Sequence, residues 1–199
     1  MKFSMMQVAR LLDGGAGGEA GRKEGVKWVV GGMATLLTGN KVSALTMFTR
    51  GVALLERSWR ERNPDFEGDF KARIAESIKF YEETHRHPTN RTLHTIGIPM
   101  IVGGAVGLLV MPSFRPLWLA SAGAFSLGWA LNILGHSGFE KNKPAFSADP
   151  LSFITGPIWD WKQLVEKAEG PFAEFVRGLL KLQGKDGTIE AEAVPAAAT

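Results

Sequence analysis
Residues 92–136 contain one charged side chain, Arg115, in a chain otherwise dense with charge. Residues 1–91 carry 15 Lys and Arg against 11 Asp and Glu, and residues 137–199 carry 7 against 9. The uncharged stretch divides into two apolar runs of 19 residues, Leu93 to Met111 and Pro116 to Leu134. About 20 apolar residues, at ~1.5 Å each along a helix, cross a hydrocarbon core. Between the runs, Pro112-Ser113-Phe114-Arg115-Pro116 sets two prolines around a turn. The pattern predicts a helical hairpin in a membrane. The competing reading is a hairpin buried in a soluble helical core, where two adjacent runs of this length are unusual. Gly103, Gly104, Gly107, Ala120, Ala122, Gly123, Ala124 and Gly128 are the small residues that membrane helix interfaces favour. Whole-chain averages, 45% hydrophobic and a net charge of +3, conceal this segregation.

All four histidines lie at the ends of the apolar stretch: His85, His87 and His94 before or at its start, His136 at its close. In an antiparallel hairpin, residues equally far from the turn are neighbours. His94 stands 18 positions before Pro112 and His136 stands 20 after Pro116. Both fall ~27–30 Å from the turn, at the same end of the pair. With no cysteine the chain has no disulfide, thiolate metal site or Cys nucleophile. A nitrogen-ligated metal therefore has one place to sit, and this ligand set suits Fe(II), Zn or Cu(II) without choosing among them.

The flanks converge on that rim. Phe66, Phe70, Ile74, Ile78, Tyr81 and His85 recur at helical spacing and predict an amphipathic helix with His85 on its inner face. On that helix His87 points away and reads as exposed. Downstream, His136 and Glu140 share a face if the second helix continues. Asn142, Pro144 and Asp149-Pro150 then break it into a loop. His85, His94 and His136 are the candidate metal ligands, with Glu140 and Asn90 placed to supply a carboxylate or supporting hydrogen bonds. Arg86, Arg91, Lys141 and Lys143 crowd the rim against Arg115 at the turn, which by the positive-inside rule turns the rim to the cytoplasm.

Elsewhere the signal is weaker. Residues 14–25 are glycine-rich and read as flexible. Residues 26–38 and 42–55 are short apolar segments that suit an interfacial or re-entrant hairpin as well as a soluble one. Residues 158–182 read as amphipathic helices divided at Gly170-Pro171, with Trp159, Trp161, Phe172 and Phe175 as interfacial anchors. The fold class is thus all-α: a membrane-embedded helical hairpin with flanking amphipathic helices. The organisation is an N-terminal extension over 1–65, a helical membrane domain over 66–182 and a disordered tail over 183–199. The N-terminus lacks a continuous apolar core, so no cleaved signal is expected.

Several chemistries are excluded. His136-x-x-x-Glu140 is not the HExxH of a zinc protease, and no P-loop, dinucleotide fingerprint or nucleophile elbow occurs. Four histidines are too few for the di-iron membrane hydroxylases. The modest positive charge, without interleaved aromatics, argues against nucleic acid as a partner.

The motif Tyr81-x3-His85-x4-Asn90-x3-His94-x2-Gly97-x-Pro99, followed by Gly135-His136-x3-Glu140-x-Asn142-x-Pro144-Ala145, resembles the iron-dependent 2-hydroxy fatty acid dioxygenases of fatty-acid α-oxidation. The resemblance covers roughly residues 66–165. It implies that His85, His94 and His136 bind Fe(II). Glu140, Asn90, Tyr81 and Asn142 are the accompanying candidate catalytic residues. His87 stands where the pattern has Asn, and no role carries over to it. The implied substrates are a 2-hydroxy fatty acid and O2, giving the acid one carbon shorter, CO2 and water. Oxidising the α-carbon and releasing CO2 supplies all four electrons that O2 accepts, so neither 2-oxoglutarate nor NAD(P)H is required. The acyl chain is expected among the spans, and the rim's basic residues are expected to attract its carboxylate. The alternative is a non-catalytic multi-pass membrane protein that binds a metal or haem through its histidines.

Overall fold
A computed structural model describes residues 18–167 and Glu174, and no strand occurs among them. The described residues up to Asp160 form one compact unit, and Trp161 opens a second. Six α-helices follow in order: α1 (Gly18–Leu36), α2 (Lys41–Arg62), α3 (Phe70–Thr84), α4 (Pro88–Val110), α5 (Pro116–Leu134) and α6 (Ser152–Lys167). The expected tail over 183–199, with Phe172 and Phe175, lies outside the described residues.

Helices α1 and α2 form a tight antiparallel pair. Asn40 caps α2, its side chain accepting from Ser43 N at 3.2 Å. A Cβ at Gly32 would meet Phe48 N at 2.8 Å, and one at Gly51 would meet Val29 N at 2.6 Å. These glycines are the contact surface between the two backbones. The expectation of flexibility over 14–25 therefore fails from Gly18 onward, because Gly21 and Gly25 are buried in a helix interface. The apolar segments 26–38 and 42–55 are the inner parts of two longer helices with polar ends.

Helix α3 departs from its predicted face. Phe66 precedes the helix and Phe70 is 59% exposed, whereas Arg73, Ser77 and Tyr81 are buried. These three and His85 stand four residues apart, so α3 buries a polar ladder and leaves part of the apolar stripe outside. Arg73 donates to Asp149 at 2.6 and 2.9 Å and to Glu56 at 2.9 Å, with its guanidinium 3.5 Å from the Trp59 ring centroid. Ser77 Oγ meets Thr155 Oγ1 at 3.0 Å. Tyr81 donates its hydroxyl to Asp160 at 2.9 Å.

Helices α4 and α5 are the predicted hairpin, and they alone among the described helices are long and apolar enough to cross a membrane. Their apolar windows are only 28% and 22% buried, unlike the core helices of a soluble protein, and Ile96, Val110, Leu119, Leu127 and Ile133 face outward. The backbones touch at small residues: a Cβ at Gly104 would meet Phe125 N at 2.7 Å, and one at Gly128 would meet Gly97 O at 2.6 Å. Gly103 and Gly123 have open space before them and take no part in this interface.

The two hairpins lie side by side with their turns at one end. Leu36 and Ala44 pack there with Leu108, Trp118 and Phe125, and Lys41 Nζ donates to the C-terminal carbonyl of Met111 at 2.6 Å. At the other end Arg22 and Arg62 donate to the carbonyls of Ser147 and Ala148. Helix α6 starts at Ser152, earlier than the predicted 158. Its Gly156 lets the Tyr81 ring approach, since a Cβ there would meet Cε2 at 2.8 Å. Trp159, expected as an interfacial anchor, is instead 9% exposed and packs on Tyr81.

Candidate metal centre
Three backbone devices bring His85, His94 and His136 together. His85 is the C-cap of α3, His94 lies one turn past Asn90 in the first turns of α4, and His136 enters a π-helical turn, Gly135–Glu140, that ends α5. The π turn closes with Lys141 N donating to His136 O, and Lys141 adopts φ 60°. Such wide turns recur at functional sites because they re-aim side chains that a regular helix would carry past.

One candidate ligand atom from each histidine lies within 4.8 Å of the others, and all three residues are buried. The ring centroids form a nearly equilateral triangle of 4.7, 4.8 and 4.8 Å, with rings inclined at 77–86°. Each Nδ1 is engaged by the scaffold: His85 with Tyr81 O at 2.7 Å, His94 with Asn90 O at 3.0 Å, His136 with Asn142 Oδ1 at 2.6 Å. A carbonyl oxygen only accepts, so each Nδ1 carries the proton and each Nε2 keeps its lone pair. Asn142 has its amide orientation set by Nδ2, which donates to Thr84 O at 3.0 Å. His85 Nε2 is buried without a hydrogen-bond partner among the described residues. Burial, the neighbouring imidazoles and Arg91 push the His85 pKa down to about 3, so it is neutral at ordinary pH. A neutral, oriented, unpartnered nitrogen beside two others is what a metal ion requires, and these three histidines could hold one.

The accompanying residues are present in different capacities. Glu140 accepts from His87 N at 2.6 Å and from Asn90 Nδ2 at 3.2 Å, so it clasps the start of α4 to the π turn and is no part of the ligand triangle. Asn90 thereby joins Glu140 to His94. Tyr81 stacks on His85 with ring centroids 3.8 Å apart. Burial and the Asp160 carboxylate push the Tyr81 phenol well above its usual range, and burial raises Asp160 itself to about 6. His87 is half-buried where exposure was expected. It is the N-cap of α4, with Nδ1 accepting from Thr89 N at 3.2 Å and Pro88 at the first helical position.

The histidines open on a cavity of about 80 Å³ with apolar walls from Ile98, Trp129, Phe146 and Phe153. No haem fits between rings this close. Sequence reasoning missed three residues in its wall: Trp129, Asn132 and Ser152. Each holds a buried polar atom without a partner among the described residues, namely Trp129 Nε1, Asn132 Oδ1 and Ser152 Oγ. Their only sequence signal is a polar residue spaced to face the site from α5 or α6. Arg86, Arg91, Lys141 and Lys143 do not line the cavity. Arg91 stacks over Trp159 at 4.8 Å, and the other three lie on the surface.

Residues 71–168 match the family described as 2-hydroxy-palmitic acid dioxygenase Mpo1-like. Just under half of the chain is thus similar to that family. No curated protein and no solved structure matches it. The Mpo1-like segment contains the three histidines, Glu140, Asn142 and the Tyr81–Asp160 pair, and it leaves α1 and α2 outside.

Proposed function
We propose that the protein is an Fe(II)-dependent dioxygenase that shortens 2-hydroxy fatty acids by one carbon with release of CO2. The observation that carries this reading is the triangle of buried histidines with every Nδ1 tied down and His85 Nε2 left without a partner. His85, His94 and His136 would hold the iron. A bound Fe(II) supplies the one-electron chemistry that O2 needs to react with a closed-shell acid. Tyr81, Asn90 and Asn142 fix the imidazole planes, and Glu140 holds two of the three supporting segments together. Trp129 Nε1 and Ser152 Oγ offer the substrate's carboxylate and hydroxyl the buried hydrogen bonds that no rim cation supplies. Ile98, Phe146 and Phe153 keep bulk water from the reacting carbons.

We further place α4 and α5 across a bilayer, supported by their length and their low burial, as part of a multi-pass membrane protein. The histidine rim faces the cytoplasm on this reading, with four basic residues there. Lys41 joins Arg115 at the turn, which narrows the asymmetry without reversing it.

The test is purified protein loaded with Fe(II) under argon, then given O2 and 2-hydroxypalmitate. Pentadecanoate and CO2 should appear in step with the O2 consumed, without 2-oxoglutarate or NAD(P)H. His94→Ala and His136→Ala should lose both iron and turnover. Failure of the wild type to bind iron, or equal turnover in these variants, sinks the proposal.

A further inference from the structure
An apolar groove of about 380 Å³ lies between the α1–α2 pair and α4–α5. Apart from the indole N–H of Trp129, its lining is apolar or glycine. Met33, Leu45 and Phe48 come from α1 and α2, and Val102, Val106 and Leu109 from α4. Its volume is within the ~300–1,000 Å³ of small-molecule sites.

The groove adjoins the histidine cavity. Ile101, Val102, Trp129 and Phe153 line both. Along α4 the lining passes turn by turn from His94 and Ile98 beside the histidines to Ala105 and Leu109 at the far end. From His94 to Leu109 is ~22 Å at 1.5 Å per residue. One leaflet's acyl chains span about 15 Å, half of a ~30 Å hydrocarbon core. A polar head held at the histidines would thus leave an ordinary long fatty-acid tail lying wholly within the groove. At the junction Phe153 packs against Phe48 of α2 at 5.1 Å and against Phe146 at 4.9 Å, so an aromatic collar marks where head gives way to tail.

We propose that α1 and α2, outside the Mpo1-like segment, form the outer wall of the tail-binding site for the aliphatic chain of a long-chain 2-hydroxy acid, and so set its chain-length preference. The proposal rests on the dioxygenase reading for the position of the head; the groove itself does not. Leu45 of α2 and Val106 of α4 both line it and are 48% and 53% exposed, so substitution there does not open the core.

The experiment uses the full chain in nanodiscs under argon, with 2-hydroxypalmitate carrying a terminal diazirine. Photolysis should label Met33, Leu45 or Phe48, and excess unlabelled 2-hydroxypalmitate should suppress it. Leu45→Trp and Val106→Trp, with unchanged circular dichroism and metal uptake, should each cut labelling. In air they should move kcat/KM about tenfold from 2-hydroxypalmitate towards 2-hydroxyoctanoate, the size of effect that pocket volume exerts on apolar substrates. Label confined to outward residues such as Leu119, Leu127 and Ile133, or an unchanged chain-length preference in both variants, overturns the groove while turnover by the wild type keeps the dioxygenase reading. Competed label on α1 or α2 without any turnover does the reverse.

Discussion

Each imidazole of the triangle donates from Nδ1 to an oxygen that belongs to a different part of the scaffold. Two of those oxygens are main-chain carbonyls one turn upstream, which substitution cannot remove. The third is the Asn142 side chain, which makes it the exposed point of the arrangement. Outer partners of this kind are typically worth ~10–100-fold in metal affinity. Asn142→Ala should weaken Co(II) or Fe(II) binding by about that factor, read by metal titration, with little change in helix content; an unaltered affinity would show that His136 is oriented by packing alone. Glu140 acts one step further out. Glu140→Ala leaves His87 N and Asn90 Nδ2 without their acceptor, and a loss of ~1–3 kcal/mol in unfolding free energy is expected from two stranded donors.

Helix α3 shows what was legible in the chain and what was not. The spacing from Tyr81 to His85 placed both correctly on its inner face, and the absence of charge from 92 to 136 sufficed for the α4–α5 hairpin and for the approach of His94 to His136. The rest of α3 misled, because its inner face is Arg73, Ser77 and Tyr81 and a search for apolar periodicity passes over a buried arginine. The partners Glu56, Asp149 and Thr155 lie 17 to 78 residues away, beyond the reach of any local pattern. The same blindness hid Ser152 and Trp129, whose significance comes only from what they line. Breaking a buried ion pair by removing one partner commonly costs ~3–5 kcal/mol. Arg73→Ala should therefore lower unfolding stability by about that amount, measured by denaturant titration in mild detergent. Arg73→Met should recover part of it, since Met leaves two carboxylates unmatched but restores volume against Trp59. Equal stability in both variants and wild type would remove the ladder from the account of the fold.

At the scale of the whole molecule, two buried groups outside the spans oppose each other in pH. His85 has its pKa depressed to about 3, so in metal-free protein it contributes stability above the unfolded value near 6.5 that is lost as pH falls. Asp160 has its pKa raised to about 6, so its contribution is present at low pH and lost as pH rises from about 4 through 6. The wild type's thermal midpoint should then fall by less between about pH 7 and about pH 5 than it would without Asp160. Asp160→Asn keeps an acceptor for Tyr81 and removes one of the two opposing groups, so its midpoint should drop at the lower pH; a level profile in that variant would contradict the burial assigned to His85. The π turn that ends α5 also has a consequence for the molecule as a whole. A π turn is a helix with one residue too many, so deleting Gly138 would let α5 run on as a regular helix. That deletion would swing Glu140 and Asn142 by roughly 100° away from the residues they hold. The protein could become more regular and better hydrogen-bonded while its site came apart. Its chemistry is written as a phase error in a helix, and any drift towards a smoother fold would erase it.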